Sequence, residues 1–522
     1  MKNKILIFNP RSAKGKHRIP NSILQVGASI YGTYDFVFVD GNLETNPWKT
    51  IKAYFETGDF KYFCSTVMPG PQLKQAIPFT KKIKEEFPDC ITIWGGYFAS
   101  NQYKVSIESG FVDYIINGPG DQAFPKLIDF LEDECHSDRV RNERRGISQE
   151  KDKGLINIKN LIYKNKEGDI IQTPKEKLLD QDTLPALPYK HLDTFYNLNK
   201  YLSKTFLGNN TFSYHSSLGC PFTCSFCAVV PIYNGRWKAK SAQSVYRDVA
   251  YFKEHYNIEA IEFHDNNFFT SRKRVVEFSE LIKNDGITWW GEGRIDTINK
   301  YSDEDLILMK DAGCKMIFLG AETGNDEILK QMNKGGTQTG QGIKDFVKRL
   351  NPIGIIPELS FVLGMPAETP EKVMAQIEWD INFIKEIKEI NPDAEIIIYL
   401  YSPVATEGSE LYEQIQKAGF SFPQKLEDWL DPLWENFDLR KNPLTPWLTP
   451  AMVDKIQNFE TVLNGYYPTV TDFRIRGFKR SFLRGVSKIR YRTGIYKFPY
   501  EIKLMHKIWK YRQPEIEGFY SE

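Results

Sequence analysis

No apolar run in this 522-residue chain approaches the ~18–20 residues that cross a bilayer, so a membrane-spanning helix is not expected. The amino terminus, Met1-Lys2-Asn3-Lys4-Ile5-Leu6-Ile7-Phe8, enters a strand pattern directly and lacks the length of a signal peptide. Charge of one sign is also missing. The 68 Lys and Arg residues offset 67 Asp and Glu, for a net charge of +1, which leaves no global field to recruit nucleic acid or membrane. Cysteine is scarce: seven residues without a disulfide-like framework fit a reducing cytoplasm. No helix-turn-helix or signalling module is legible. The length calls for two to four domains, and the composition is that of an ordinary globular protein.

Three of the seven cysteines are concentrated in one short run, Ser217-Leu218-Gly219-Cys220-Pro221-Phe222-Thr223-Cys224-Ser225-Phe226-Cys227. With His215 they could form a Cys3His zinc site, but zinc knuckles pair Cys-x2-Cys units at two ends of a loop. Three thiolates on one loop instead suit three irons of a cubic cluster, leaving the fourth iron open to a small molecule. Electron-transfer clusters close all four positions with protein thiolates. The remaining cysteines form no second cluster motif.

Short apolar strands alternate with helix-length segments from residue 4 to about 135. Strands are expected at Ile5–Phe8, Phe36–Val39, Tyr62–Val67, Ile91–Gly95 and Tyr114–Ile116, which predicts a parallel, doubly wound sheet. Ligands of such sheets lie beyond the carboxyl ends of the strands. There the sequence places Ser65 and Thr66, Gly95 and Gly96, and Gly118 and Gly120. Residues 155–180 read as a hairpin around Lys166-Glu167-Gly168-Asp169, and charged residues Glu143–Arg145 and Glu150–Lys153 read as a solvated linker. Strand–helix units resume from about 210 to 425, with strands at Phe212–His215, Ala260–Phe263, Thr288–Gly291, Met316–Leu319, Glu358–Leu363 and Glu395–Tyr401. Six strands are too few for a closed eight-stranded barrel and predict a partial one.

The Cys-x3-Cys-x-aromatic-Cys loop, with Phe226 as the aromatic, resembles that of the radical S-adenosylmethionine (SAM) superfamily. Ser65-Thr66, Trp94-Gly95-Gly96-Tyr97 and Val112–Ile116 followed by Gly118 resemble the cobalamin-binding domain that precedes the barrel in one class of that family. The resemblance implies a 4Fe-4S cluster on Cys220, Cys224 and Cys227. It implies SAM contacts from Phe226, Asp265, Asn266, Arg294 and Glu322. It also implies cobalamin against Ser65, Thr66, Gly95, Gly96, Gly118 and Gly120. Glu322, in Gly320-Ala321-Glu322-Thr323-Gly324, would accept hydrogen bonds from ribose hydroxyls. For Arg294, a SAM-carboxylate fork and an ion pair to a nearby carboxylate stand equally. His264, where relatives carry an acid, reads as a turn residue in preference to a proton donor. Two departures stand out: Gly118-Pro119-Gly120-Asp121 replaces a Gly-Glu-Gly-Glu segment, and the Asp-x-His-x-x-Gly motif that supplies an axial histidine to cobalt is absent.

The fold so implied is α/β. A cobalamin-binding-like Rossmann domain (1–135) is followed by a linker with a hairpin (136–205), a partial (β/α)6 barrel (206–425) and a basic helical C-terminal region (426–522). The activity implied is reductive cleavage of SAM to a 5′-deoxyadenosyl radical, followed by methylation of an unactivated carbon of a small-molecule or lipid-like substrate. Ring closure of the kind seen in anaerobic Mg-protoporphyrin ester cyclisation is the alternative, and a non-catalytic sensor is a remote one. A flavodoxin- or ferredoxin-type donor would supply the electron, under low oxygen. In the tail, Arg474, Arg476, Lys479, Arg480, Arg484, Lys488 and further cations interleave with Phe473, Phe478, Phe482, Leu483, Ile489 and Tyr491, up to Arg512. Such a segment can lie on an anionic membrane or pack on the barrel with its lysines in water; packing is the expectation, and nucleic acid is not a favoured partner.

Overall fold

The computed structural model describes residues 2–12, 17–140, 154–334, 337–438, 440–472 and 474–511, with side chains between 135 and 140 left out. The linker charges Glu143–Arg145 and Glu150–Lys153, and Phe473 and Arg512 of the tail, lie outside the described residues. The chain gathers into two compact units: Met1–Tyr201 with Ala228–Ala239 and Phe422–Asp438, and Leu202–Cys227 with Lys240–Ser421 and Leu439–Glu522. The four consecutive segments expected from the sequence are distributed over these two units.

In the first unit, strands β1 (Lys4–Asn9), β2 (Phe36–Asp40), β3 (Phe60–Thr66), β4 (Ile91–Gly95) and β5 (Tyr114–Ile116) form a parallel sheet in the order β2-β1-β3-β4-β5. Strands covered on both faces read as continuous apolar runs, as Ile5-Leu6-Ile7-Phe8 does here. One core packs Phe8, Val39, Phe55 and Phe63; another packs Trp94, Phe98 and Ile115. Burying a side chain of this size contributes about 1.5–3 kcal/mol. The hairpin, β6 (Leu161–Lys164) and β7 (Ile170–Gln172), joins β5 antiparallel and extends this sheet to seven strands. It therefore belongs to the sheet rather than to a linker. The segment 422–438 belongs to the same unit because Trp429 packs edge-on against Phe98, with centroids 5.0 Å apart.

In the second unit, β8 (Thr211–Tyr214), β9 (Ala260–Phe263), β10 (Thr288–Gly293), β11 (Cys314–Glu322), β12 (Ile356–Leu363) and β13 (Glu395–Leu400) pair in sequential, all-parallel order. Each strand predicted from the sequence is present, shifted at its ends by no more than three residues. Helices Ala242–Tyr256, Arg272–Ile282, Asp303–Asp311, Gly340–Ile353 and Pro370–Ile390 cross between strands. Their starts are written locally: Ser241, Ser271, Ser302, Thr339 and Thr369 each cap a first turn by accepting a backbone N–H. Among the described residues, no helix is long and apolar enough to cross a membrane.

Candidate active site

The cysteine loop follows β8. Gly219, with φ +76°, provides the left-handed turn immediately before Cys220. Cys224 is buried, Cys220, Cys227 and Phe226 are half-buried, and the three thiols are free of disulfides. The second unit grips this loop along its length. Ser225 donates its N–H to the Met332 carbonyl (3.0 Å), its own carbonyl accepts from Thr406 Oγ1 (3.0 Å), and Asn333 donates to the Thr223 carbonyl (2.8 Å). Burial pushes the Cys220 thiol up; Cys224 adds to that push, while the Phe222 N–H and the cations Arg294 and Lys334 oppose it. That cationic setting is one in which thiolate ligands are stabilised.

Arg294, at the end of β10, turns out to serve the loop. Its Nε and Nη2 grip Asp296 at 3.0 and 2.9 Å, and its Nη1 lies 3.1 Å from Cys224 Sγ. The guanidinium also stacks 3.9 Å over the Phe222 ring and donates to the Lys334 carbonyl. Of the two readings of Arg294, the structure holds the ion pair, with Asp296 as partner.

Lys334 is a residue the sequence reading missed. Its Nζ lies 3.0 Å from Glu322 Oε1, and both side chains are buried. Glu322 ends β11 at φ +63°, a left-handed backbone that a non-glycine residue adopts at a cost. A Cβ on Gly320 would come within 2.4 Å of Glu322 Oε1 and 2.9 Å of Lys334 Nζ, so glycine makes room for the pair. Contacts therefore run unbroken from Cys224 through Arg294 and Lys334 to Glu322. The only sequence signal for Lys334 was its position before Gly335-Gly336.

Asp265 is fully buried and already engaged. Its Oδ1 accepts the backbone N–H groups of Ser216 and Ser217, and Oδ2 accepts Ser216 Oγ, each at 2.6 Å. Its contacts fasten the strand end that leads into the cysteine loop. Arg274, also missed, donates to Ser216 Oγ from the other side and to the carbonyls of Phe268 and Lys240. Asn266 is half-buried beside Asp265. The next residue, Asn267, is fully buried, and both polar atoms of its amide lack a partner among the described residues. His264 is more than a turn residue: Nε2 lies 3.2 Å from Glu262 Oε2, and Nδ1 lies 3.6 Å from Glu292 Oε1.

In the first unit, the expected ligand-facing residues line the carboxyl ends of β3, β4 and β5. Ser65 is buried and donates to the Thr66 carbonyl, whereas Thr66, Gly95, Gly96, Gly118 and Gly120 are half-buried. Gly96 sits at φ +95°, and a Cβ there would meet Val67 backbone atoms at 2.8 and 2.9 Å; this glycine is required by the turn itself. Gly95 differs. A Cβ there would meet nothing nearer than 3.9 Å, so its bare backbone borders open space.

Residues 214–379 match the family model of the radical SAM superfamily. That stretch is a radical SAM domain, which makes the chain an enzyme with a 4Fe-4S cluster and SAM as cofactors. It is similar to an uncharacterised methyltransferase of Pyrococcus horikoshii, 28% identical over 385 residues, covering 72% of this chain and 77% of that protein. It is also similar to the anaerobic magnesium-protoporphyrin IX monomethyl ester cyclase of Rubrivivax gelatinosus, 24% identical over 460 residues, covering 84% and 72%. Among solved structures, the radical SAM methyltransferase TsrM of Kitasatospora setae, with cobalamin and a 4Fe-4S cluster bound, matches with a TM-score of 0.60. That match covers 94% of this chain and 99% of TsrM at 15% identity, a likeness of fold.

The residues present fit these groups. Among the described residues, no three Cys, His, Asp or Glu side chains are gathered tightly enough to hold one metal ion. A cubane spaces its thiolates more widely, because each binds a different iron. The Glu322 carboxylate, joined to the loop through Lys334 and Arg294, supplies an acceptor for a polar ligand, and the orphaned Asn267 amide, two residues from Asp265, leaves donors and an acceptor unused among the described residues.

Proposed function

We propose that this protein methylates a carbon of a small-molecule or lipid-like substrate, using a 4Fe-4S cluster, SAM and cobalamin. The observation that carries this reading is the chain of contacts joining Cys224, Arg294, Lys334 and Glu322. When bound, the cluster supplies the electron that cleaves SAM to a 5′-deoxyadenosyl radical, and cobalamin supplies a methyl group. Cys220, Cys224 and Cys227 would hold three irons. Arg294 donates to the Cys224 sulfur and, through its grip on Asp296, holds that donor in place. Glu322 would accept the ribose hydroxyls, its orientation set by Lys334. Asn267 would answer polar atoms of SAM, and Asp265 positions the loop without touching the ligand. Ser65, Thr66 and the bare backbone at Gly95, Gly96, Gly118 and Gly120 would receive cobalamin, which here would have no axial histidine from the Asp-x-His-x-x-Gly motif. A flavodoxin- or ferredoxin-type donor supplies the electron in the cytoplasm.

The test is anaerobic purification with iron, sulfide and cobalamin quantified, followed by dithionite reduction with SAM. About four irons per chain, stoichiometric cobalamin and SAM-dependent 5′-deoxyadenosine support the reading, and Cys227→Ala should lose the cluster and the 5′-deoxyadenosine while keeping the cobalamin. A full cluster without 5′-deoxyadenosine would overturn it. A second reading, radical ring closure, is favoured by the similarity to the cyclase over 84% of this chain. It requires 5′-deoxyadenosine without S-adenosylhomocysteine, whereas methyl transfer through a second SAM yields both.

A further inference from the structure

The C-terminal helices carry apolar side chains on two opposite sides, and among the described residues only one side is covered. Helix Phe478–Thr493 buries Leu483, Ser487 and Tyr491, one stripe at the i, i+4, i+8 spacing of a helix. Phe478 (80% exposed), Phe482 (48%) and Ile489 (71%) follow the same repeat through Gly485 and fall on the opposite side. Helix Tyr500–Trp509 does likewise: Ile502 is buried, while Tyr500 (67%), Leu504 (58%) and Ile508 (64%) form an exposed i, i+4, i+8 stripe. The two helices touch where the Phe482 and Trp509 rings lie edge-to-face at 6.4 Å. The packing expected from the sequence therefore accounts for Leu483 and Tyr491 and leaves the other apolar residues in water.

The same segment is strongly cationic. Residues 474–511 hold twelve Lys and Arg against one acid, Glu501, in a chain whose net charge is +1. Glu501 is itself neutralised by Arg490. Lys479, Lys488, Arg492, Lys497 and Lys507 are exposed on or beside the helices that carry the bare stripes. Exposed apolar residues gathered on one side of each helix and rimmed by charge mark an interaction surface. An apolar stripe rimmed by Lys and Arg matches one surface in both respects, an anionic lipid interface: acyl chains accept the stripe and head groups pair with the cations. Single-stranded nucleic acid would use aromatic stacking, but half of this stripe is aliphatic: Ile489, Leu504 and Ile508.

We infer that helices Phe478–Thr493 and Tyr500–Trp509 form a peripheral docking surface for anionic membranes. The test uses the full chain with vesicles of phosphatidylcholine, with or without about one-third phosphatidylserine, in co-sedimentation. The expected result is binding to the anionic vesicles that weakens with salt and is much poorer to neutral ones. Ile489→Ser/Leu504→Ser/Ile508→Ser should lower the partition coefficient at least about tenfold. Lys479→Gln/Lys488→Gln/Lys507→Gln should lower it on the order of a hundredfold. These positions are exposed, so both variants should retain the wild-type melting temperature. The inference is overturned if the chain ignores anionic vesicles or if the serine variant binds as wild type does. It is equally overturned if the surface instead captures single-stranded RNA, or if it buries itself in a homodimer that the serine variant abolishes.

Discussion

Arg294 Nη1 lies 3.1 Å from Cys224 Sγ, although the two residues are 70 positions apart, and its remaining nitrogens are fastened to Asp296. A donor aimed at a cluster thiolate stabilises the more negative, reduced cluster and so raises its potential. Lysine cannot make this fork. Arg294→Lys should keep its iron and shift the midpoint potential downward by on the order of 50–100 mV. A redox titration followed by electron paramagnetic resonance measures this, and an unchanged potential would contradict the assigned role.

Glu322 and Lys334 depend on each other. Removing one partner of a buried pair leaves an uncompensated charge, at a cost of about 3–5 kcal/mol. Lys334→Met should therefore lower stability sharply, and Glu322→Gln/Lys334→Met should recover much of the loss. Because Glu322 is the proposed ribose acceptor, the double variant should still bind SAM at least about tenfold more weakly. Thermal melts and anaerobic calorimetry separate the two effects.

The turn that follows Glu322 is held by Asp380, which accepts Thr323 Oγ1 at 2.7 Å and the Gly324 N–H at 2.9 Å. Burial pushes its carboxyl up to about 6, against the lowering effect of those two bonds. Because the folded-state value lies above the unfolded one, the native state binds the proton more tightly. Asp380 therefore stabilises the fold most below pH ~4, and this contribution is lost as pH rises through about 6. Asp380→Asn keeps the acceptor and removes the titration. It should gain about 2–3 kcal/mol over wild type at pH 8 and flatten the pH 4–6 slope of denaturant midpoints.

Gly95 and Gly96 should respond differently to the same substitution. Gly96→Ala strains a left-handed backbone and collides with Val67, for a loss of about 1–3 kcal/mol. Gly95→Ala enters open space and should leave the melting temperature unchanged. If cobalamin lies against this backbone, Gly95→Ala lowers the cobalamin retained on purification, read from its visible absorption. Full retention in Gly95→Ala would remove Gly95 from the cobalamin surface.

Much of this molecule is written locally. Strands such as Ile5–Phe8 and Glu358–Leu363 are legible because a strand buried on both faces must be continuously apolar, and serine and threonine caps mark the helix starts. The cysteine loop is legible because its three cysteines fall within eight consecutive residues. What the tertiary structure alone decided are the partners of the polar side chains. Only the fold sets Arg294 against Cys224 and Asp296, and Asp265 against the backbone of Ser216 and Ser217. Arg274 and Asn267 carry no spacing signal, and Lys334 only its place before Gly335-Gly336. Ion pairs and hydrogen bonds between distant positions leave no period in the sequence, because only the packing of strands and loops chooses which charges meet. The tail follows the same rule. Its mixture of cations and apolar residues is plain in the sequence, yet whether Phe478, Ile489 and Ile508 are covered depends on how many neighbours a helix finds, and among the described residues these two helices find neighbours on one side only.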